Sequence, residues 1–175
     1  IGLANDKARL GHWPPAAAHR CCEPLRCLSA PMPLPETTPA HHDGRARVIP
    51  FRVMIGARIT HEADGVAVVQ LALRPDLLNN HGGGHGGVVM SLLDSAMANA
   101  ALSRVDYQRE VVTIDMHIAF MKPAVGDLTA TGRATGGGKS VCFCEAEITD
   151  ANGTVTAKAM GTFRYRAPGP SKAGE

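Results

Sequence analysis

The chain lacks a surplus of either charge, a long apolar run, a cysteine framework and an internal repeat. Its 175 residues carry 18 basic and 16 acidic side chains, a formal net charge of +2. That balance excludes a polybasic nucleic-acid binder and an acidic solvating tail. No run of eighteen apolar residues occurs, so neither a transmembrane helix nor a membrane partner is expected. Cys21, Cys22 and Cys27 match no zinc spacing, because adjacent cysteines cannot easily share one tetrahedral site with a third. Five cysteines without a framework fit a reducing, cytoplasmic setting. What is present is 45% hydrophobic residues against 19% charged ones, enough to bury a core in one domain with a tail.

The averages hide an asymmetry. Residues 1–50 hold eight of the twelve prolines, three of the five cysteines and the whole net charge of +2. Pro31, Pro33, Pro35 and Pro39 remove amide donors and disfavour helix just before them. No period of 2 or 3.6 persists there, so residues 1–47 are expected to be an irregular head. The chain opens on Ile1, and Met32 stands just ahead of the patterned part. One reading is an over-extended start, with the protein beginning at Met32. The other is a transit peptide, against which Asp6, Glu23 and Glu36 count. A secretory peptide is disfavoured because Pro14, Pro15, Arg20, Cys21 and Cys22 interrupt every candidate apolar stretch.

The domain is expected over 48–167, with a short tail at 168–175. Residues 51–60 and 66–74 alternate as half-buried strands do, with Gly65 between them. Residues 79–87 form a loop with five glycines. Residues 88–103 contain no proline or glycine and predict a helix that is apolar nearly all round, hence buried. Four more strands follow, over 111–121, 127–135, 140–150 and 154–166. Asn152 and Gly153 supply a hairpin signal between the last two. Cys142 and Cys144, two apart in a strand, share one face and read as buried free thiols. Two strands, one helix and four closely linked strands predict an α+β domain whose antiparallel sheet wraps the helix.

The chemistry concentrates in the glycine loop and the helix. Asp94 is the only ionisable group between Gly86 and Ser103. It lies at about the third turn, too deep to act as an N-cap or to meet the helix dipole. A carboxylate there costs free energy unless it is paired. The bland reading is a satisfied core aspartate. The functional one draws on the helix start near Gly86 and Gly87, whose N–H groups have no intrahelical acceptors and suit a polarised carbonyl. Asp94 lies eight residues on, roughly 12 Å along the axis. One helix therefore cannot present both to one carbonyl, whereas a second subunit could.

Other motifs fall short. His81 and the three glycines after it resemble a lipase oxyanion loop, but no Gly-x-Ser-x-Gly follows. Gly138, Lys139 and Ser140 resemble the end of a phosphate loop, but Arg133 stands where its first glycine belongs. His81 and His85 resemble a metal pair, yet three glycines separate them and no third ligand is near, so no metal is expected.

Asn79, His85, Gly86, Gly87 and Asp94, at their spacing, resemble the signature of hotdog-fold acyl-CoA thioesterases of the phenylacetate-degradation (PaaI-like) type. Val111 to Ile118, then Phe120, Met121, Lys122, Pro123 and Ala124, are similar to that family's next strand and exit turn. Residues 126–130 and 161–163 fit as well, and the resemblance covers about 48–167. It implies a hotdog fold, a curved sheet around the long helix, and homodimers, often paired into dimers of dimers, with sites at the dimer interface. It implies hydrolysis of an acyl-CoA or aroyl-CoA thioester with no cofactor, coenzyme A being part of the substrate. Asp94 would be general base or nucleophile, and the sequence leaves that choice open. Gly86 would polarise the carbonyl, Asn79 would position water or thioester, and Thr113 would orient water or Asp94. His85 would support the loop by capping backbone groups. Gly87, Lys139 and Ser140 would meet the substrate, the latter two at the CoA phosphates. The loop is more glycine-rich than the family's, which points to a looser site. Two rivals stay open: a hotdog hydratase or dehydratase, and a non-catalytic acyl-CoA-binding module.

Overall fold

The computed structural model describes residues 48–168. The expectations for the head 1–47, including Cys21, Cys22 and Cys27, and for the tail beyond 168 lie outside the described residues. The element order is helix α1 (Pro50–Ile55), strands β1 (Arg58–Ala63) and β2 (Val66–Ala72), a 3-10 turn (Pro75–Leu77) and helix α2 (Gly86–Ser103). Strands β3 (Glu110–Phe120), β4 (Asp127–Gly137), β5 (Val141–Thr149) and β6 (Val155–Arg166) follow.

The first of these elements departs from the sequence reading of a strand over 51–60. Its first half is helical because Pro50 occupies the first turn, where the missing N–H costs nothing. Gly56, at φ 80°, closes the helix by donating to Val53 O and Arg52 O. Arg52 and Ile55 are buried from one face, a spacing of three that can be mistaken for imperfect alternation.

The six strands form one antiparallel sheet in the order β1-β2-β4-β5-β6-β3. The four late strands are thus not a plain meander. β3 lies at the far edge beside β6, while β4 pairs with β2 in the middle. The hairpin expected between β5 and β6 forms, and a second joins β1 to β2. Asp64 and Gly65 both take positive φ, as a tight turn requires. Asp150 Oδ1 caps the β5–β6 turn by accepting from Asn152 N–H and Thr154 N–H.

Helix α2 lies in the curve of the sheet. Leu92, Leu93, Ala96 and Met97 are fully buried among Val69, Leu128, Ile148 and Phe163. Each large side chain removed from water contributes about 1.5–3 kcal/mol. The closest approach is at Gly132 on β4, where an added Cβ would stand 2.4 Å from the carbonyl carbon and oxygen of Ala96. Only glycine lets helix backbone and strand backbone meet this closely. This contact sets the depth of the helix in the sheet. Cys142 and Cys144 are buried free thiols with sulfurs 3.7 Å apart, and burial, with the neighbouring Cys142, pushes the Cys144 thiol up.

Candidate active site

Asp94 projects from the third turn of α2 and is half-buried. Thr113 on β3 donates its hydroxyl to Asp94 Oδ1 at 2.8 Å. A β-bulge makes this meeting possible. The β3–β6 register shifts between Thr113 and Asp115, leaving Ile114 between Thr113, opposite Phe163, and Asp115, opposite Thr162. Without the extra residue, Ile114 would follow the phase of Met116 and Ile118 toward the helix. With it, Thr113 faces the helix and Ile114 is 55% exposed. Burial raises the Asp94 carboxyl above its ordinary value of 3.8, and the Thr113 hydrogen bond opposes that rise.

The glycine loop builds a second half-site. Asn79 organises it: Oδ1 accepts from His81 N–H at 2.9 Å and Gly83 N–H at 3.2 Å, and Nδ2 donates to Gly84 O at 3.4 Å. One amide N–H of Asn79 then remains for a ligand. Gly83 and Gly84 are buried, and Gly84 N–H donates to Ala124 O at 2.8 Å. A Cβ on Gly84 would lie 3.2 Å from the Leu73 side chain. The loop is therefore tightly tied, not loose: its glycines let it pack against the 123–124 turn.

His85 is the N-cap of α2. Its Nδ1 accepts from Gly87 N–H at 3.0 Å, and its carbonyl accepts from Val88 and Val89. Gly87 therefore has no N–H to offer a substrate. Among the described residues, no acceptor takes the Gly86 N–H. Gly86 lines a cavity of about 250 Å³ together with Asn79, Val89, Phe120, Lys122 and Thr156. Phe120 covers Gly86, its ring edge 3.7 Å from where a Cβ would stand. Sequence reasoning gave Phe120 and Lys122 no role. They enter only because the end of β3 folds back over the start of α2.

Within one chain the residues thus form two groups. Asp94 and Thr113 stand together, as do Asn79 and Gly86, while Asp94 and Gly86 are separated by two turns of helix. Lys139 and Ser140 lie exposed at the β4–β5 turn, tied by their carbonyls to Arg109 Nη1 and Tyr165 N–H. Among the described residues, no three His, Cys, Asp or Glu side chains gather as metal ligands. No described helix is long and apolar enough to cross a membrane.

Comparison with known proteins agrees with this geometry. A family model described as the thioesterase superfamily matches residues 81–157, from the glycine loop into β6. A Saccharolobus solfataricus protein named "Putative esterase SSO2140" is 31% identical over 110 residues, covering 62% of this chain and 78% of that protein. The PaaI protein from the phenylacetic acid degradation operon of E. coli superposes with a TM-score of 0.63 at 28% identity, over 67% of this chain and 84% of that one. The conserved protein PA5202 of Pseudomonas aeruginosa superposes with a TM-score of 0.65, also at 28% identity, over 68% and 95%. With its single long helix held in a six-stranded antiparallel sheet, the chain belongs to the thioesterase superfamily and has the hotdog fold.

Proposed function

We propose that this protein hydrolyses an acyl-CoA or aroyl-CoA thioester to the free acid and CoA, at a site shared by two copies of the chain. The observation that carries this reading is the half-buried Asp94 carboxylate held by Thr113 beside an open sheet edge. β3 exposes Val112, Ile114 and Phe120, and among the described residues no strand lies beside its outer edge. Thr113 lies near the start of this strand and Phe120, which covers Gly86, at its end. Antiparallel pairing of two β3 edges about a two-fold axis would set Asp94 of one copy opposite Gly86 of the other. That pairing removes the separation along α2. Two such dimers would form a dimer of dimers.

In this reading the thioester carbonyl oxygen accepts the unoccupied Gly86 N–H, at a helix start where developing negative charge is stabilised. The second amide N–H of Asn79 orients the thioester. Asp94 takes a proton from water as hydroxide adds to the carbonyl carbon, and Thr113 fixes the carboxylate. Collapse of the tetrahedral intermediate breaks the C–S bond, and the departing thiolate receives the proton from Asp94. In the alternative route Asp94 attacks the carbonyl carbon, the C–S bond breaks and CoA leaves as the thiolate, which takes a proton from water as water opens the resulting anhydride. His85 holds the helix start in shape. Lys139 and Ser140 contact CoA phosphates. A cytoplasmic setting fits the free thiols of Cys142 and Cys144.

The test is thiol release across acyl-CoA substrates from acetyl to long-chain and aromatic. Turnover by the native protein that collapses in Asp94→Asn is expected. Absence of release across the whole panel would refute the hydrolase reading. Label found in the Asp94 side chain after one turnover in ¹⁸O-water would establish the anhydride route, with water attacking the Asp94 carbonyl.

A further inference from the structure

The cavity beside Gly86 contains one group that the chemistry proposed above leaves idle. Of the residues lining this space of about 250 Å³, Lys122 is the only ionisable one. Its backbone is fixed from two sides. Met121 N–H and Lys122 N–H both donate to Thr156 O on β6, at 2.9 and 3.0 Å. Pro123 follows with its restricted φ, and Ala124 O accepts from Gly84 N–H at 2.8 Å. The turn that carries Lys122 is therefore tied to the sheet on one side and to the glycine loop on the other. Among the described residues no carboxylate pairs with Lys122. Asp115 accepts from the Thr162 hydroxyl at 3.2 Å, and Asp127 opens β4 opposite Ala72; neither lines the cavity.

We propose that the Lys122 ammonium stabilises the oxyanion that forms on the thioester carbonyl, beside the Gly86 N–H. This rests on the reading that a thioester is hydrolysed here. In that reading the carbonyl oxygen accepts the Gly86 N–H, so it sits in the same cavity as Lys122, at the positive end of α2. When hydroxide adds to the carbonyl carbon, a negative charge appears on that oxygen. Lys122 stays protonated throughout and donates a hydrogen bond to it. The charge leaves with the thiolate as the C–S bond breaks. A fixed cation stabilises the charged intermediate more than the neutral carbonyl, so it lowers the barrier rather than merely tightening binding.

The surroundings favour this role. Phe120, its ring edge 3.7 Å from the Cβ position of Gly86, joins Val89 and Pro123 in giving the cavity apolar walls. Attraction between opposite charges grows as such walls displace water. Lys122 is exposed in the single chain. A second copy paired along β3 would cover this end of the strand and shed more of that water. The cavity's volume, equal to roughly eight waters at about 30 Å³ each, takes a reacting carbonyl and a few atoms on either side, and no nucleotide. A lysine on its wall therefore meets the carbonyl of a thioester.

The experiment compares one acyl group on CoA and on N-acetylcysteamine, which has no phosphates. Lys122→Met is expected to lower kcat by about 10- to 100-fold on both, with KM changed by less than about threefold. Lys122→Arg keeps the charge and should recover part of the rate. A second readout needs no turnover. It uses a CoA thioester analogue with methylene in place of sulfur and a ¹³C-labelled carbonyl. The carbonyl stretch should fall in frequency on binding to the native protein and fall less on binding to Lys122→Met. An unaltered stretch or an unaltered kcat in Lys122→Met would overturn the proposal. So would a loss confined to the CoA thioester, which would assign Lys122 to the phosphates. A loss that disappears as pH rises would assign it to the Asp94 carboxylate instead, and would overturn the proposal too. A Lys122-dependent carbonyl shift with no thiol release from any thioester would defeat the hydrolase reading and leave carbonyl polarisation by Lys122 standing.

Discussion

Thr113 Oγ1 donates to Asp94 Oδ1 at 2.8 Å, joining the edge strand to the middle of the buried helix across 19 residues of sequence. The bond gives a lone carboxylate on an apolar helix its partner while leaving its second oxygen unconstrained by Thr113. If Asp94 activates water or attacks the thioester, Asp94→Asn should lower kcat by roughly 10²–10⁴-fold, the range for a positioned acid or base. The variant should melt no lower than the native protein, because it removes a carboxylate that burial disfavours. A folded Asp94→Asn protein with near-native thiol release would remove Asp94 from the mechanism.

The pH dependence follows from the same environment. Burial raises the Asp94 carboxyl, so the acid limb of kcat/KM should fall above the ordinary value of 3.8. Thr113→Val removes the hydrogen bond that holds the rise back, and the limb should move to higher pH. For stability the sign is opposite to that of a salt-bridged aspartate. Between 3.8 and the raised value the folded state binds more protons than the unfolded one, so stability falls as pH rises through that window. Asp94→Asn should abolish this component, which melting temperatures measured across the window will reveal.

His85 accepts the Gly87 N–H, and its loss leaves that donor bare at the start of α2. His85→Ala should destabilise the fold by about 1 kcal/mol, the usual worth of a cap, and lower kcat by less than about tenfold. A loss of a hundredfold or more with an intact melting curve would show that His85 moves protons.

Gly132→Ala places a methyl group against the Ala96 backbone, where no side chain can yield. The helix must shift, at about 1–3 kcal/mol or more. Gly138→Ala, in open space at the β4–β5 turn, is the control and should cost far less. Urea midpoints of the two variants should differ in that order. Equal midpoints would mean that the helix can slide in the sheet.

Ile114 is 55% exposed on the edge strand. If two β3 edges pair about a two-fold axis, Ile114→Glu introduces like charges there and should shift the protein toward monomer in sedimentation. Thiol release should fall in parallel and recover in part at high protein concentration. A monomer that retains full activity would show that one chain holds a complete site.

Much of the architecture was legible from residues 58 onward, because alternation and an uninterrupted apolar helix are local signals. The helix start was legible to within two residues: composition puts it at Val88, and the helix takes in Gly86 and Gly87 because His85 caps it. The short helix α1 was not. Arg52 and Ile55 are buried in a six-residue segment, too short for a helical period to stand out from alternation. The place of β3 at the far edge was equally hidden, because no local pattern says which strands become neighbours. At the candidate site, Asp94 and Gly86 could be singled out from chemistry and position, Asn79 only from the family resemblance. The loss of Gly87 as a donor could not, as it depends on how the His85 ring turns.

The sequence by itself determined most of the elements, the buried helix with its single carboxylate, and the start of that helix near the glycines. Each follows from the composition and period of a short stretch. Tertiary structure decided which groups meet. One extra residue in β3 turned Thr113 rather than Ile114 toward Asp94, and a missing Cβ at Gly132 let the helix sit deep in the sheet. Register and close approach are set between segments far apart in the chain, by which backbones can touch, so no stretch read alone contains them.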